Sequence, residues 1–293
     1  MSDANLLILL STLSTGLILG AIFSLVAAGV TIVYGCVWLP NTSNGQFFLL
    51  AALVAWSFTS SMGWSSLAAS IAVLLLGLLL AMLLELVLIR RLYDTPNRNI
   101  AYFVVTLGLT QIMSGIFSLT YAKWSDQFSL PPIIEGLTML GPFPISNNRL
   151  LVMAVSLGVL ALLFTLLRYH PYGRALRAVF QNREAAALRG VNVTAIYKLS
   201  FVLGSSIIFL GGILFALAYS FDLTVAWTMS ITAFAIMIIG GPGSVLGALV
   251  VGMVFGFTQA IVSIFASPTA ATFSYLGAML VMLLFRPNGL FKR

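Results

Sequence analysis

Side chains able to do chemistry are gathered in three places along this sequence of 293 residues. The first is the stretch from Arg168 to Lys198, with six of the fourteen basic residues: Arg168, Arg174, Arg177, Arg183, Arg189 and Lys198. The second is an uncharged polar run, Asn41-Thr42-Ser43-Asn44-Gly45-Gln46, and the third is a lone acid, Glu85. None forms a catalytic constellation. The single cysteine, Cys36, excludes an internal disulfide and reads as packing in an apolar stretch, and the single histidine, His170, reads as an interfacial loop residue beside Pro171. No clustered His, Cys or carboxylate set suits an embedded enzyme or a metal site. The phosphate-binding pattern G-x-x-x-x-G-K-[ST] and the zinc pattern H-E-x-x-H are missing from the sequence, so any ATP must be bound by another chain.

The chemistry open to the basic island is mechanical. Asn182 suits a helix N-cap, Glu184 the first turn, Arg189 the last turn and Gly190 the terminating position. That predicts a helix of about two turns, too short to persist alone in water, which therefore needs a docking surface. The alanines Ala185 and Ala186 would let a surface approach closely, and a soluble partner is the occupant this suggests. A merely solvated loop helix is the plainer reading of the same residues.

The elements that must hold these groups are set by an apolar composition. Hydrophobic residues make up 60% and charged residues 7%, against roughly 25% charged in soluble domains. No charge occurs between Asp3 and Glu85, or between Asp222 and Arg286. Continuous apolar runs argue for an all-α, polytopic helical membrane protein and against a β-barrel. Spans are expected at about 6–34, 46–62, 67–89, 100–122, 150–167, 199–220, 223–240, 244–265 and 270–285, each near a 20-residue crossing. The chain reads as one transmembrane domain over 1–293, without a cleavable signal.

Basic residues orient the spans. Arg90, Arg91 and Arg98, the 168–198 loop, and Arg286, Lys292 and Arg293 carry twelve of the fourteen, and alternating spans bring all three groups to the cytoplasmic side. Net charge +7 thus follows from topology and implies no nucleic-acid partner. Lys123 and Arg149 flank a longer outer loop, and Trp64, Trp124 and Trp227 fall at the outer interface.

Several readings stay open on residues alone. The run after Trp38-Leu39-Pro40 is either a surface loop, giving nine crossings, or a helix break buried in the bundle, giving eight or nine. Thr106, Thr110 and Ser114 recur every four residues on one helix face, either as helix–helix hydrogen bonds or as the lining of a pathway. Glu85 either pairs or snorkels toward Arg90 and Arg91, or couples a proton. Glycines such as Gly16, Gly20, Gly204, Gly211, Gly252 and Gly256 allow close helix approach, within the chain or between subunits.

The motifs also carry a family resemblance. Glu184-Ala185-Ala186-Ala187-Leu188-Arg189-Gly190 resembles the E-A-A-x-x-x-G signature of ABC importer permeases. Tyr172-Gly173-Arg174-Ala175-Leu176-Arg177, the turn Gly240-Gly241-Pro242-Gly243-Ser244-Val245-Leu246-Gly247, the tail Arg286-Pro287-Asn288-Gly289-Leu290-Phe291 and Gly29-Val30-Thr31-Ile32-Val33-Tyr34-Gly35 are similar to segments of the branched-chain amino acid permease family. That family commonly has N-x-A-H-G-E where this chain has Asn41 to Gln46, so neutral amides replace histidine and glutamate.

The resemblance implies a permease subunit of an ABC importer in the bacterial inner membrane, multi-pass, with a cytoplasmic C-terminus. The implied solutes are branched-chain or related amino acids, or similar small polar molecules. Implied partners are a second permease of the same fold, two cytoplasmic ATPases that bind the ATP and magnesium, a soluble solute-binding protein and the lipid bilayer. The chain itself would carry no cofactor and no enzymatic activity. Gly173, Arg174, Arg177, Asn182, Glu184, Ala185, Ala186 and Gly190 would form the ATPase-coupling loop, and Asn41, Thr42, Ser43, Asn44, Gln46, Thr106, Thr110 and Ser114 the solute pathway. The rival is a self-sufficient secondary transporter coupled through Glu85, against which the scarcity of intramembrane ionisable residues weighs.

Overall fold

A computed structural model describes residues 3–37, 41–93, 95, 97–124, 127–140, 143–286 and 289–291. Trp38, Leu39 and Pro40, Asp126 and Pro142, the tail residues Pro287 and Asn288, Lys292 and Arg293, and the Cys36 side chain lie outside that description. The helices are α1 (Asp3–Val37), α2 (Asn44–Met62), α3 (Ser66–Leu84), α4 (Arg98–Tyr121), α5 (Asn147–Tyr169), α6 (Pro171–Gln181), α7 (Arg183–Leu188), α8 (Val193–Ala218), α9 (Val225–Gly240), α10 (Val245–Phe265) and α11 (Pro268–Phe285). Among the described residues, seven helices are long and apolar enough to cross a membrane, and the shorter apolar helices α9 and α11 lie where the two remaining spans are expected. The protein is thus all-α and multi-pass.

Three local features go beyond the sequence reading. The outer loop folds into an antiparallel hairpin, β1 (Leu137–Leu140) with β2 (Phe143–Ser146), in which Leu137 faces Ser146 and Leu140 faces Phe143. The basic loop holds a second helix, α6, whose buried Gly173, Leu176 and Val179 recur every third residue opposite exposed Arg174 and Arg177. Its signals were legible: Pro171 at the first helical position, and His170 before it, whose Nδ1 accepts from the Tyr172 N–H at 3.2 Å. Finally, α3 leaves regular geometry at Glu85 and passes through a π-turn (Glu85–Ile89) into a 3₁₀ turn (Arg90–Leu92).

Helix α1 is the axis of the bundle, and glycine lets it be one. A Cβ at Gly16 or Gly20 would press on Phe257 or Met253 of α10, and one at Gly256 would strike the Gly20 backbone. On the other side, Gly29 meets the Gly204 carbonyl and Gly211 meets Val26 of α1. The order of these pairs makes α1 antiparallel to both α8 and α10. The small-residue stripes are therefore spent inside the chain, where dispersion between closely approaching backbones replaces the hydrophobic effect that lipid cannot supply.

Charge segregates along this axis. Arg98 Nη1 donates to the Tyr197 hydroxyl at 3.3 Å, so Arg98 lies by the basic loop, and the Leu290 N–H donates to the Ile239 carbonyl at 2.8 Å, which holds the segment after Arg286 to the C-terminal end of α9. At the opposite end Phe128 and Phe221 exchange backbone hydrogen bonds of 2.7 and 2.9 Å, beside exposed Trp64, Trp124 and Trp227. Arg149 belongs there for a local reason. Its Nε donates to the Ala218 carbonyl at 3.3 Å, placing a cation at the C-terminus of α8.

Candidate functional site

The chain's polar break lies inside the bundle. Asn41, Ser43, Asn44 and Gln46 are buried, and Thr42 is half-buried. Asn41 Oδ1 accepts from the Ser43 N–H at 3.0 Å and from the Ser43 hydroxyl at 2.6 Å, a side-chain turn that stands in for the missing helical bonds. Helix α2 starts immediately after. The Gly45 N–H, free at that helix start, donates to Ser230 Oγ of α9 at 3.0 Å, and the Ala226 carbonyl occupies the space a Cβ would need.

Thr42 ties the break to α4. Its hydroxyl donates to Thr106 Oγ1 and accepts from Thr110 Oγ1, each at 3.3 Å. Thr106 is eight residues from Arg98, about 12 Å along the helix, with roughly 22 Å of α4 still to come. The buried-break reading therefore holds over the surface loop. Ser114, one turn further, is half-buried and stands apart from this hydroxyl cluster. Asn41 Nδ2, Asn44 Oδ1 and Gln46 Oε1 are buried without hydrogen-bond partners in this structure. An unpaired buried group of this kind costs about 1–3 kcal/mol, so three in one six-residue segment require a reason.

The second site is the exposed end of the basic loop. Gly173 lets α6 fold back on α5, because a Cβ there would strike the Leu167 backbone. The Arg177 guanidinium donates to the Leu167 and Arg168 carbonyls and so caps α5. Gly173 and Arg177 hold the loop in place, whereas Arg174 is exposed. Asn182 Oδ1 accepts from the Ala185 N–H at 3.0 Å, the cap expected of it, and Glu184 stands exposed in the first turn of α7.

The far end of α7 closes in a Schellman arrangement. The Val191 N–H reaches the Ala186 carbonyl at 3.1 Å, the Gly190 N–H reaches that of Ala187 at 2.9 Å, and Gly190 takes a φ of 81°. Ala186 is buried against its own chain, unlike Ala185, so the two alanines do different work. The outward apolar residue is Leu188, 89% exposed, which the sequence reading did not single out. Its signal was its place two residues after buried Ala186, on the opposite helix face.

Glu85 departs from expectation. Rather than snorkelling to Arg90 or Arg91, both of which are exposed, it is fully buried. Its Oε1 accepts from the Tyr93 hydroxyl at 3.3 Å, and Oε2 has no hydrogen-bond partner. Glu85 continues the buried stripe Ala69, Val73, Gly77 and Ala81 of α3, so the acid faces inward, whereas Arg90 and Arg91, in the 3₁₀ turn beyond it, are exposed. Tyr93 in turn packs on Tyr197, with ring centroids 5.0 Å apart, and Arg183 of α7 lies over Tyr197 at 5.7 Å.

Two further motifs meet at the basic end. Gly240 and Gly247 pack backbone to backbone, Gly243 takes a φ of 83°, and Ser244 Oγ caps α10 by accepting from the Gly247 N–H at 3.0 Å. The tail closes over this turn, with Gly289 pressed on Gly241 and the Phe291 N–H on the Gly240 carbonyl at 3.3 Å.

Comparison with known proteins agrees with this arrangement. The family model described as "Branched-chain amino acid transport system / permease component" matches residues 12–285. The high-affinity branched-chain amino acid transport system permease protein LivH of Salmonella typhimurium is 24% identical, over 97% of this chain and 96% of its own. The corresponding protein BraD of Pseudomonas aeruginosa is 26% identical with the same coverage. A solved structure, PsaBC from Streptococcus pneumoniae in complex with Fab, contains a chain sharing the fold at TM-score 0.50 and 14% identity, over 94% of this chain and 91% of that one. Because the family model spans most of its length, this chain belongs to the family of branched-chain amino acid transport system permease components.

Proposed function

We propose that the chain is the permease subunit of an ABC importer in the bacterial inner membrane, moving branched-chain amino acids or related small polar solutes inward. The observation that carries this reading is the pairing of a capped, outward-facing helix, α7, with a buried polar helix break at Asn41–Gln46 in one chain. The first is what a driving partner grips, and the second is where a path through the bundle can offer hydrogen bonds.

In this reading two cytoplasmic ATPases bind ATP and magnesium and dock on α7. A second permease of the same fold completes the path, and a soluble binding protein delivers solute from outside. The basic end of the bundle, with the C-terminus, faces the cytoplasm by the positive-inside rule. ATP shifts the equilibrium between outward- and inward-open states only to the extent that the docked ATPases bind one state better, which makes α7 the point where that difference is applied. The unpaired donor of Asn41 and the unpaired acceptors of Asn44 and Gln46 supply neutral hydrogen-bonding groups to the path.

The test is uptake of labelled leucine into proteoliposomes holding the permease, its ATPases and the binding protein. ATP-dependent uptake that disappears without the ATPases supports the proposal. Uptake driven by a proton gradient through the permease alone, and lost in Glu85→Gln, overturns it in favour of secondary transport.

A further inference from the structure

Phe180 sits in the last turn of α6, two residues before the cap of α7. Its half-buried ring touches two glycines from distant parts of the chain. A Cβ built on Gly35, near the end of α1, would overlap the tip of the ring. A Cβ on Gly243, in the turn between α9 and α10, would lie 3.0 Å from Cδ2 and Cε2 on its side. Neither neighbour has a side chain that could yield by changing rotamer. The ring bears on backbone at both places, so a displacement is passed on rather than absorbed.

Each contact leads somewhere. Gly35 is six residues before Asn41, so the end of α1 is the lever nearest the buried break. The Gly243 turn is bound to the tail through Gly241–Gly289 and through the bond from the Leu290 N–H to the Ile239 carbonyl, 2.8 Å. On the other side, α6 is fixed to its surroundings by buried Leu176 and Val179 and by the Tyr172 hydroxyl, 2.8 Å from Ser200 Oγ.

We propose that Phe180 is a positioning residue for transport, a wedge between Gly35 and Gly243 that makes α7, the end of α1 and the α9–α10 turn move as one body. The inference rests on the reading of α7 as the ATPase-docking helix. It adds which side chain carries the motion inward, and to which two backbone segments.

The test uses the full complex of permease, ATPases and binding protein in proteoliposomes, and reads solute moved per ATP hydrolysed. Phe180→Ala is expected to lower that ratio roughly 3- to 30-fold while ATPase association and hydrolysis persist. A structural role alone would change abundance and leave the ratio intact. Gly35→Ala is expected to be impaired because its methyl meets the ring, and the double variant F180A/G35A is expected to fall no lower than F180A. Where G35A fails to accumulate in the membrane, recovery of accumulation in the double variant reads the same steric relation. An unchanged ratio in F180A, or a double variant at the product of the two single effects, overturns the wedge. Failure of the docking reading is separately visible: Leu188→Glu would then still bind the ATPases, and the wedge would be judged on the Gly35–Phe180 rescue alone.

Discussion

The hydroxyl of Thr42 lies 3.3 Å from that of Thr106, joining a chain break to a neighbouring helix across sixty-four positions of sequence. Together with Thr110 this places three hydroxyls beside amides that have hydrogen-bonding capacity to spare. On the proposed path, a solute or a file of water would exchange for bonds of this length with little net change, since a neutral hydrogen bond contributes only about 0.5–1.5 kcal/mol. The relationship makes the break the place to perturb first.

Asn41→Ala removes the acceptor shared by the Ser43 N–H and hydroxyl, leaving both buried donors unpaired. The expected loss is about 1–3 kcal/mol of stability and a matching fall in uptake. Asn44→Ala removes an unpaired acceptor and is expected to spare stability while lowering transport. Thermal unfolding in detergent alongside uptake separates the two. Equal behaviour of the variants in both measurements would sink the assignment.

Cysteines placed at Thr42 and Ser43 are expected to resist impermeant thiol reagents from both faces of the membrane, because Ser43 is fully buried and Thr42 is turned to α4. A cysteine at Ala185, exposed on α7, is expected to react only from the cytoplasmic face. Labelling of position 185 from outside intact cells would invert the topology.

At α7, the proposed docking helix, Gly190→Val forces a β-branched side chain into a φ of 81° and removes the geometry of the Schellman bonds. Glu184→Lys puts a cation at a helix N-terminus, a penalty of about 0.3–1 kcal/mol. Both are expected to weaken ATPase association, measured by co-purification, with membrane insertion unchanged. Leu188→Glu changes a side chain that is almost wholly exposed, so the isolated subunit should shift by no more than about 0.5 kcal/mol while ATPase binding falls.

Glu85→Gln keeps the shape and the acceptor for the Tyr93 hydroxyl, so ATP-driven uptake should persist. Glu85→Leu deletes that hydrogen bond, with an expected loss of about 0.5–1.5 kcal/mol in stability. Uptake that disappears in the glutamine variant, with the protein still folded, would assign the acid a proton-carrying role.

Gly289→Ala is expected to loosen the basic end, because its methyl would meet Gly241 and its φ of 79° disfavours any side chain. Limited proteolysis near the C-terminus should accelerate relative to the parent. Unchanged cleavage would mean that the tail is held by other contacts.

Much of this architecture is written locally. Apolar runs of bilayer length, the placement of Arg and Lys, and the cap residues Asn182 and Gly190 are short-range signals. Lipid or the adjacent backbone supplies their physical context, so they can be read one segment at a time. The all-helical, multi-pass class and the capped α7 helix were legible for that reason. Helix α6 is legible too, in the three-residue spacing of Gly173, Leu176 and Val179 behind Pro171.

What only the tertiary structure decided are relations between segments. The residues from Asn41 to Gln46 have the composition of a surface loop, and only their burial against Ser230, Thr106 and Thr110 makes them a break inside the bundle. Glu85 sits one turn from two arginines in sequence, yet it lies on the buried face of α3, where the Tyr93 hydroxyl donates to it. Gly35, Phe180 and Gly243 belong to three separate stretches, and no local pattern announces that one ring rests on two glycines. Sequence by itself determined which segments leave water, because transfer to lipid depends on each segment's own composition. The partners of each buried polar group and each glycine depended on packing, because a helix face acquires its neighbours only when the whole bundle is assembled.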